Sequence, residues 1–220
     1  MTRSKPIRGV YAVTPEPSDD KWLYTRVAAV LAGGARLVQY RSKRPDRARR
    51  RRQASRLLKL CRVHGALLIV NDDVDLAREI GADGVHLGRD DLPPVAARAE
   101  LGDGALIGVS CYDSLEQGRA AQIDGADYVA FGSFFPSAVK PNATRPPLAL
   151  LQAARASLDI PVVAIGGITP ENGGALVEAG ADALAVISAL FQVPDSRSAA
   201  QALAALFQVR DIPLGMESHA

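Results

Sequence analysis

The sequence predicts an α/β protein that folds as a single (β/α)8 TIM barrel, and three observations support this fold class. Eight short apolar runs alternate with helix-like segments along the chain. Most of these runs are apolar at every position, as expected for parallel strands whose two faces are both buried. The tripeptide Gly-Ala-Asp recurs at residues 81–83, 125–127 and 180–182, where a helix would end and the next strand would begin.

The length of the chain also fits one barrel. With 220 residues, it is slightly shorter than the ~250 residues typical of this fold. We expect one barrel domain over residues 1–220, with a core from about residue 9 to residue 207 and flexible ends. A doubly wound open sheet is the alternative, but no Gly-x-Gly-x-x-Gly turn follows the first predicted strand.

The individual elements follow from the apolar runs and from the residues that end helices. Glycine follows several predicted helices, for example at Gly65 and Gly81, as is usual at helix C-termini. Pro170 and Gly180 flank another helix in the expected order, with proline at its start and glycine after its end. The predicted strands are 10–13, 36–40, 66–70, 84–87, 105–109, 128–131, 162–165 and 183–187, and the predicted helices are 21–32, 46–64, 74–80, 93–100, 114–123, 148–157, 170–179 and 196–207.

The composition argues against several functional classes. Hydrophobic residues make up 48% of the chain, charged residues make up 23% and the net charge is only +2, which is typical of a globular protein without a nucleic-acid partner. No apolar run reaches the ~20 residues of a membrane span, and no signal-peptide pattern follows the basic N-terminus. We therefore expect a cytoplasmic protein with no membrane partner, and the sequence leaves a homo-oligomer open.

Several reactive or charged side chains are given structural roles. Cys61 and Cys111 lie far apart in the sequence and indicate neither a disulfide framework nor a zinc site. His86, within the fourth predicted strand, is interpreted as a histidine of the barrel interior. The arginine-rich run 47–52 lacks interleaved aromatic residues, so we interpret it as a solvated helix face.

Cationic residues follow the second predicted strand. In a barrel of this kind the catalytic groups lie at the C-terminal ends of the strands. Gln39, Arg41 and Lys43 would project to the same side of an extended segment because successive side chains alternate. The planar guanidinium of arginine and the compact charge of lysine both suit pyrophosphate oxygens. The alternative is a pair of solvated surface cations.

Acidic residues follow the third and fourth predicted strands, as Asn71-Asp72-Asp73 and Asp90-Asp91. Neighbouring strands would bring their carboxylates to one point. Mg²⁺ binds through few protein oxygens and shares its other positions with water and phosphate, so this pattern predicts a magnesium site. Helix N-capping is the alternative, and it is the role that we assign to Asp73.

Candidate phosphate-binding segments follow the last three predicted strands. A long loop after the sixth strand carries Ser137 and Lys140, and loops of this length often cover a ligand. Gly166-Gly167 and Ser188 follow the seventh and eighth strands, where barrels bind phosphate through backbone N–H groups. The alternatives are an exposed loop lysine and tight turns that serve packing.

Taken in order, these residues resemble the thiamine-phosphate synthase family, and the resemblance extends from about Gly9 to Phe207. The set of motifs is highly specific as a whole, whereas a Gly-Gly loop alone would fit many phosphate-binding barrels. The matching motifs are Tyr11-Ala-Val-Thr14, Gln39-Tyr-Arg-Ser-Lys43, Asn71-Asp72, Gly84-Val-His-Leu-Gly88 with Asp91, Ile107-Gly-Val-Ser110, Gly132 to Lys140, Ile165-Gly-Gly-Ile168 and Val186-Ile-Ser188.

The resemblance implies a transferase that uses Mg²⁺ and two small-molecule substrates. These are the pyrophosphate ester of an aminopyrimidine methanol and a thiazole with a phosphorylated ethanol arm, and the products are thiamine monophosphate and pyrophosphate. By resemblance, Asp72 and Asp91 hold the Mg²⁺ ion. The residues implied for the pyrimidine pyrophosphate are Gln39, Arg41, Lys43, Asn71, Ser110 and Lys140, of which Arg41, Lys43, Ser110 and Lys140 are catalytic; those implied for the thiazole phosphate are Ser137, Gly167, Ile187 and Ser188.

The implied chemistry needs no protein nucleophile. Pyrophosphate leaves a benzylic-type carbon with help from the pyrimidine amino group, and the thiazole nitrogen attacks the carbocation-like species. One alternative is a thiazole tautomerase-like isomerase, which shares the barrel but handles no pyrophosphate. It would not need Arg41, Lys43, Asp72 and Asp91 together. The other is a non-catalytic phosphate-ligand-binding barrel, which should have lost at least one of these residues.

Overall fold

The computed structural model describes residues 7–16, 19–136 and 145–208, and in this part of the chain eight parallel strands close into a barrel in sequence order. The closed barrel confirms the predicted fold and excludes the open sheet. The strands are β1 (Gly9–Val13), β2 (Leu37–Tyr40), β3 (Leu67–Asn71), β4 (Gly84–Leu87), β5 (Leu106–Tyr112), β6 (Tyr128–Phe131), β7 (Val162–Ile165) and β8 (Ala183–Val186). The helices are α1 (Asp20–Ala32), α2 (Arg47–Val63), α3 (Val74–Ile80), α4 (Pro94–Leu101), α5 (Leu115–Ile123), α6 (Ala149–Ser157), α7 (Gly173–Glu178), α8 (Ser188–Phe191) and α9 (Ser196–Gln208).

The observed elements differ from the predicted ones by more than one residue at three places. β5 continues past the expected end to Tyr112, and its register with β6 shifts between Ser110 and Tyr112. α7 begins at Gly173, later than the predicted start at Pro170. The short helix α8 was not predicted, because four residues are too few to display a helical period. None of the helices in the described ranges has the length and apolar character that crossing a membrane requires.

The core has two parts, which follow from the alternation of side chains along each strand. One part fills the barrel interior with residues such as Tyr11, Ile69 and Tyr128, and the other packs the outer face of the strands against the helices. Inward-facing positions near the C-terminal ends of the strands lie at the open end of the barrel, which we call its mouth. The fold therefore carries polar residues at those positions, such as Gln39 and Ser110, to its C-terminal mouth.

The repeated Gly-Ala-Asp tripeptide connects neighbouring strands at the opposite end of the barrel. Its three aspartates precede β4, β6 and β8, and each carboxylate accepts a hydrogen bond from a backbone N–H of the preceding strand at 2.7 to 3.0 Å. The sequence pattern had indicated only the glycine as a helix end, whereas the aspartate also ties two strands together. The pairs are Asp83 with Leu68, Asp127 with Ile107 and Asp182 with Val162.

Close packing inside the barrel predicts that Gly108 does not tolerate a side chain. A Cβ atom at Gly108 would lie 2.0 Å from Cζ of Tyr128, whose buried ring cannot move aside freely. We expect Gly108→Ala to lower the free energy of unfolding by about 1–3 kcal/mol, as overpacked core substitutions do. Urea unfolding measures this, with Gly104→Ala as the control because a Cβ there meets no atom within 4 Å. Equal stability of the two variants would contradict the tight contact.

Candidate active site

The residues predicted for pyrophosphate binding lie at the C-terminal ends of three strands. Gln39 is in β2, Asn71 ends β3 and Ser110 lies near the end of β5. Each lies two or four positions after a side chain that points into the barrel, and side chains at even spacing share one face of a strand. All three therefore point inward at the barrel mouth. The structure thus brings together residues that are far apart in the sequence.

Two residues that follow β1 hold the segment that carries the predicted cations. The hydroxyl of Thr14 accepts a hydrogen bond from the backbone N–H of Arg41 at 3.0 Å. The Glu16 carboxylate accepts hydrogen bonds from the Ser42 hydroxyl and from the backbone N–H of Lys43, both at 2.8 Å. Burial acts to raise the pKa of Glu16, but these hydrogen bonds, together with the ion pair that Glu16 forms with Arg44 at 3.2 Å, lower it overall. Glu16 therefore stays charged and fixes the direction of the loop, a role that the sequence analysis missed.

The two predicted metal ligands, Asp72 and Asp91, meet at the mouth. Burial, a hydrogen-bonded contact with Asp91 and the charge of Asp91 raise the pKa of Asp72 to about 6, while Lys43 and Arg41 act to lower it. Asp91 also accepts a hydrogen bond from the backbone N–H of Gly88 at 2.7 Å. Two carboxylates are thus held together beside two cations.

This donor set is suited to a hard divalent cation. Within the described ranges, no group of three or more histidine, cysteine or acidic side chains is placed to hold a metal. A cation here would bind to the carboxylates of Asp72 and Asp91 and would complete its coordination with water and ligand oxygens, which is the arrangement that Mg²⁺ favours. The residues present therefore fit the predicted ion.

The neighbouring acids have other roles. Asp73 accepts a hydrogen bond from the backbone N–H of Leu76 at 2.9 Å and pairs with Arg50 at 2.8 Å, so it caps α3 as predicted. Asp90 is exposed. The backbone of Asp72 is left-handed, with φ of 63°, a conformation that aspartate and asparagine adopt more readily than most residues.

The last three strands end around a separate cavity of about 210 Å³. Gly167, Ile187 and Ser188 line it, as the sequence predicted for a phosphate site. The left-handed backbone of Gly167, with φ of 61°, approaches the chain so closely that a Cβ atom would lie 2.3 Å from the carbonyl oxygen of Pro136. Glycine is therefore required for the shape of this cavity. Ser137, the fourth residue implied for this site, and Lys140, which is implied for the pyrimidine pyrophosphate, lie outside the described residues.

Asn172 supports the turn that contains Gly167, and this role was not predicted. Its side-chain oxygen accepts a hydrogen bond from the backbone N–H of Thr169 at 2.8 Å, and its amide nitrogen donates to the carbonyl of Gly167 at 3.0 Å. The only signal in the sequence was a capping-type residue before a helix. These two bonds hold the turn that contains Gly167.

A chain of buried polar side chains crosses the interior below the mouth. Gln39 Nε2 donates to the Tyr11 hydroxyl at 2.9 Å, and the hydroxyls of Tyr11 and Tyr128 are 2.8 Å apart. His86 contacts the Tyr128 hydroxyl through Nδ1 at 3.1 Å and the Ser110 hydroxyl through Nε2 at 2.9 Å. Burial lowers the pKa of His86 to about 4, so its ring is neutral at neutral pH. His86 is thus a residue of the barrel interior, as predicted.

The two cysteines and the arginine-rich run have the structural roles that the sequence analysis assigned to them. Burial raises the pKa of the thiols of Cys61 and Cys111 to about 12, so both remain protonated. The basic run lies on α2, where several of its arginines pair with acids of neighbouring segments. These ion pairs are Arg47 and Arg51 with Glu79, Arg49 with Asp20, and Arg50 with Asp73.

The fold and the site define a (β/α)8 barrel with charged residues at its mouth and a separate cavity beyond β7 and β8. A family model for thiamine monophosphate synthase matches residues 10–190. Thiamine-phosphate synthase from Chromobacterium violaceum is 58% identical over 204 residues, which cover 93% of this chain and 98% of that protein. The Thioalkalivibrio sulfidiphilus enzyme of the same name is 53% identical, with coverage of 92% and 97%. The chain therefore belongs to the thiamine monophosphate synthase family.

A solved structure agrees with this assignment. Thiamine phosphate pyrophosphorylase from Pyrococcus furiosus is 34% identical and superposes with a TM-score of 0.82, covering 94% of this chain and 97% of that one. The resemblance found in the sequence motifs is confirmed.

The contacts of Glu16 predict that it controls the order of the cation-bearing loop. Glu16→Ala removes the acceptor for the Lys43 amide, so we expect amide hydrogen exchange in residues 41–44 to accelerate by roughly tenfold, the equivalent of one hydrogen bond. Peptide-level hydrogen exchange by mass spectrometry measures this. Glu79→Ala, which removes only exposed pairs with α2, is the control and should leave residues 41–44 unchanged. Unchanged exchange in Glu16→Ala would show that the loop is held by other contacts.

Proposed function

We propose that this chain is a thiamine-phosphate synthase, which joins the aminopyrimidine pyrophosphate to the thiazole phosphate and releases thiamine monophosphate and pyrophosphate. The observation that carries the proposal is the pairing of Asp72 with Asp91 beside Arg41 and Lys43, at the same mouth as a cavity of about 210 Å³ lined by Gly167 and Ser188. A tautomerase-like isomerase handles no pyrophosphate, so it would not need Asp72, Asp91, Arg41 and Lys43 together. Membership of the family supports the same reaction.

The reaction breaks one bond and forms another. The carbon–oxygen bond between the pyrimidine methylene and the pyrophosphate breaks, and its electron pair leaves with the pyrophosphate. The thiazole nitrogen then donates its lone pair to the same carbon. Arg41 and Lys43, together with Lys140 on the loop after β6, would stabilise the charge that develops on the leaving group. Holding the two rings in line supplies the rest of the catalysis.

Asp72 and Asp91 would hold Mg²⁺ beside the leaving group. When bound, the ion neutralises negative charge on the departing pyrophosphate. Gln39, Asn71 and Ser110 lie at the C-terminal ends of their strands at the same mouth and would orient the pyrimidine substrate through neutral hydrogen bonds. Gln39 is almost fully buried, so its side chain is held in place before the substrate arrives.

The thiazole phosphate would occupy the cavity beyond β7 and β8. Gly167, Ile187 and Ser188 line this cavity, and backbone N–H groups in a glycine turn and at a helix start are suited to a phosphate. Ser137 would add a hydroxyl from the loop after β6. This arrangement leaves the thiazole ring between its own phosphate site and the pyrimidine.

An end-point assay tests the proposed function. Purified protein is incubated with both substrates and Mg²⁺, and thiamine monophosphate is quantified by chromatography with and without EDTA. We expect product only in the samples with free Mg²⁺. Absence of product with intact substrates would contradict the synthase reaction, and a thiazole isomerisation assay would then distinguish the tautomerase from a binding-only barrel.

Substitution of the paired carboxylates tests the metal site. Asp72→Asn and Asp91→Asn should each lower kcat by about 100-fold or more, because the leaving charge loses the neutralising ion. Asparagine is the appropriate replacement at position 72, since it tolerates the left-handed backbone and alanine would not. Asp90→Asn is the matched control, because Asp90 is exposed next to Asp91. If Asp72→Asn and Asp91→Asn kept the same kcat as Asp90→Asn and the unmodified protein, Asp72 and Asp91 would be excluded as metal ligands.

A further inference from the structure

We propose that Tyr11, Tyr128 and His86 form a one-directional hydrogen-bond chain that presents the Ser110 hydroxyl to the substrate as a donor. In this view the three residues are positioning residues, which act on the substrate only through Ser110. The inference rests on the proposed function, in which Gln39 and Ser110 contact the pyrimidine pyrophosphate.

The chain spans the whole width of the barrel. It begins at Gln39 in β2, passes through Tyr11 in β1, Tyr128 in β6 and His86 in β4, and ends at Ser110 in β5. Its four contacts are between 2.8 and 3.1 Å long. Gln39, Tyr11, Tyr128 and His86 are all less than a tenth exposed, so bulk water does not compete for their hydrogen bonds.

The direction of the chain is set at Gln39. An amide nitrogen has hydrogens to donate but no lone pair to accept with, so the Tyr11 oxygen must be the acceptor in the first contact. The single Tyr11 hydrogen is then free to donate to the Tyr128 oxygen. The single Tyr128 hydrogen is in turn free to donate to Nδ1 of His86. Every hydroxyl along this path accepts one hydrogen bond and donates one.

This direction determines the tautomer of His86. A neutral imidazole carries one hydrogen, and a ring whose Nδ1 accepts a hydrogen bond carries that hydrogen on Nε2. Both ring nitrogens contact hydroxyl groups in a buried setting, which favours the neutral ring. Nε2 therefore donates to the Ser110 oxygen.

The end of the chain faces the ligand. Because the Ser110 oxygen accepts from His86, its own hydrogen points away from the ring and toward the barrel mouth, where Ser110 is partly exposed. A hydroxyl in this state donates to anionic oxygens, which are the groups that a pyrophosphate presents. In the opposite tautomer of His86, Ser110 would donate to Nε2 and could only accept from the substrate.

Tyr128→Phe is the test substitution, because it deletes one hydroxyl and keeps the ring that stacks on His86. We expect kcat/KM for the pyrimidine pyrophosphate to fall about tenfold, the equivalent of one hydrogen bond, with the KM for thiazole phosphate unchanged. In the Ser110→Ala background the same change should cost almost nothing, since the chain then has no hydroxyl to orient. Tyr40→Phe is the control, because it also loses a buried tyrosine hydrogen bond, to Gln53, but outside the chain.

A spectroscopic measurement checks the same inference without activity. In ¹⁵N-histidine-labelled full-length protein, the His86 signals, assigned by their loss in His86→Gln, should show a protonated Nε2 and an unprotonated Nδ1. Tyr128→Phe should produce a mixture of tautomers. A protonated Nδ1 in the unmodified protein, or an equal effect of Tyr128→Phe with and without Ser110, would overturn the proposal. If the unmodified protein formed no product, the proposed function would fail, while the tautomer would still decide whether the chain runs in this direction.

Discussion

The position of every residue at the barrel mouth depends on the register of the strands, and at the opposite end three aspartates support that register in the pairs β3–β4, β5–β6 and β7–β8. Each of these carboxylates joins the start of one strand to the backbone N–H of the strand before it. A slip of one residue between parallel strands would turn inward-facing side chains outward. The repeated tripeptide thus helps to hold Asn71 in β3 and Ser110 in β5 at their positions, although neither of them lies near it.

The same register creates an interior that changes from apolar to polar along the barrel axis. Its lower part contains aliphatic side chains, and its upper part contains the linked hydroxyls, amide and imidazole of Gln39, Tyr11, Tyr128 and His86. A buried polar group without a partner is costly, but each group here has one. Gly108 leaves the room in which the Tyr128 ring lies. The interior therefore stabilises the fold and also orients the groups that face the ligand.

The sequence predicted the elements and the edge of the barrel that carries the site, because both depend on local signals. Continuous apolar runs and glycine helix ends located the strands, and Asp73 was correctly separated from Asp72 as a helix cap. Contacts between distant residues were not predictable in the same way. The hydroxyls of Tyr11 and Tyr128 meet across 117 positions of sequence. Glu16 likewise acts on a loop that no local pattern connects to it.

The two halves of the mouth differ in a way that follows from the proposed reaction. On the pyrimidine side the anion gains charge as the carbon–oxygen bond breaks, so groups that bind the transition state more tightly than the substrate accelerate the reaction. Arg41, Lys43 and the carboxylates that would hold the ion lie on this side. On the thiazole side the phosphate keeps the same charge throughout, so stronger binding there would not raise kcat. A cavity lined by glycine and backbone at Gly167 is sufficient for that task, and the charged groups are concentrated where the charge changes.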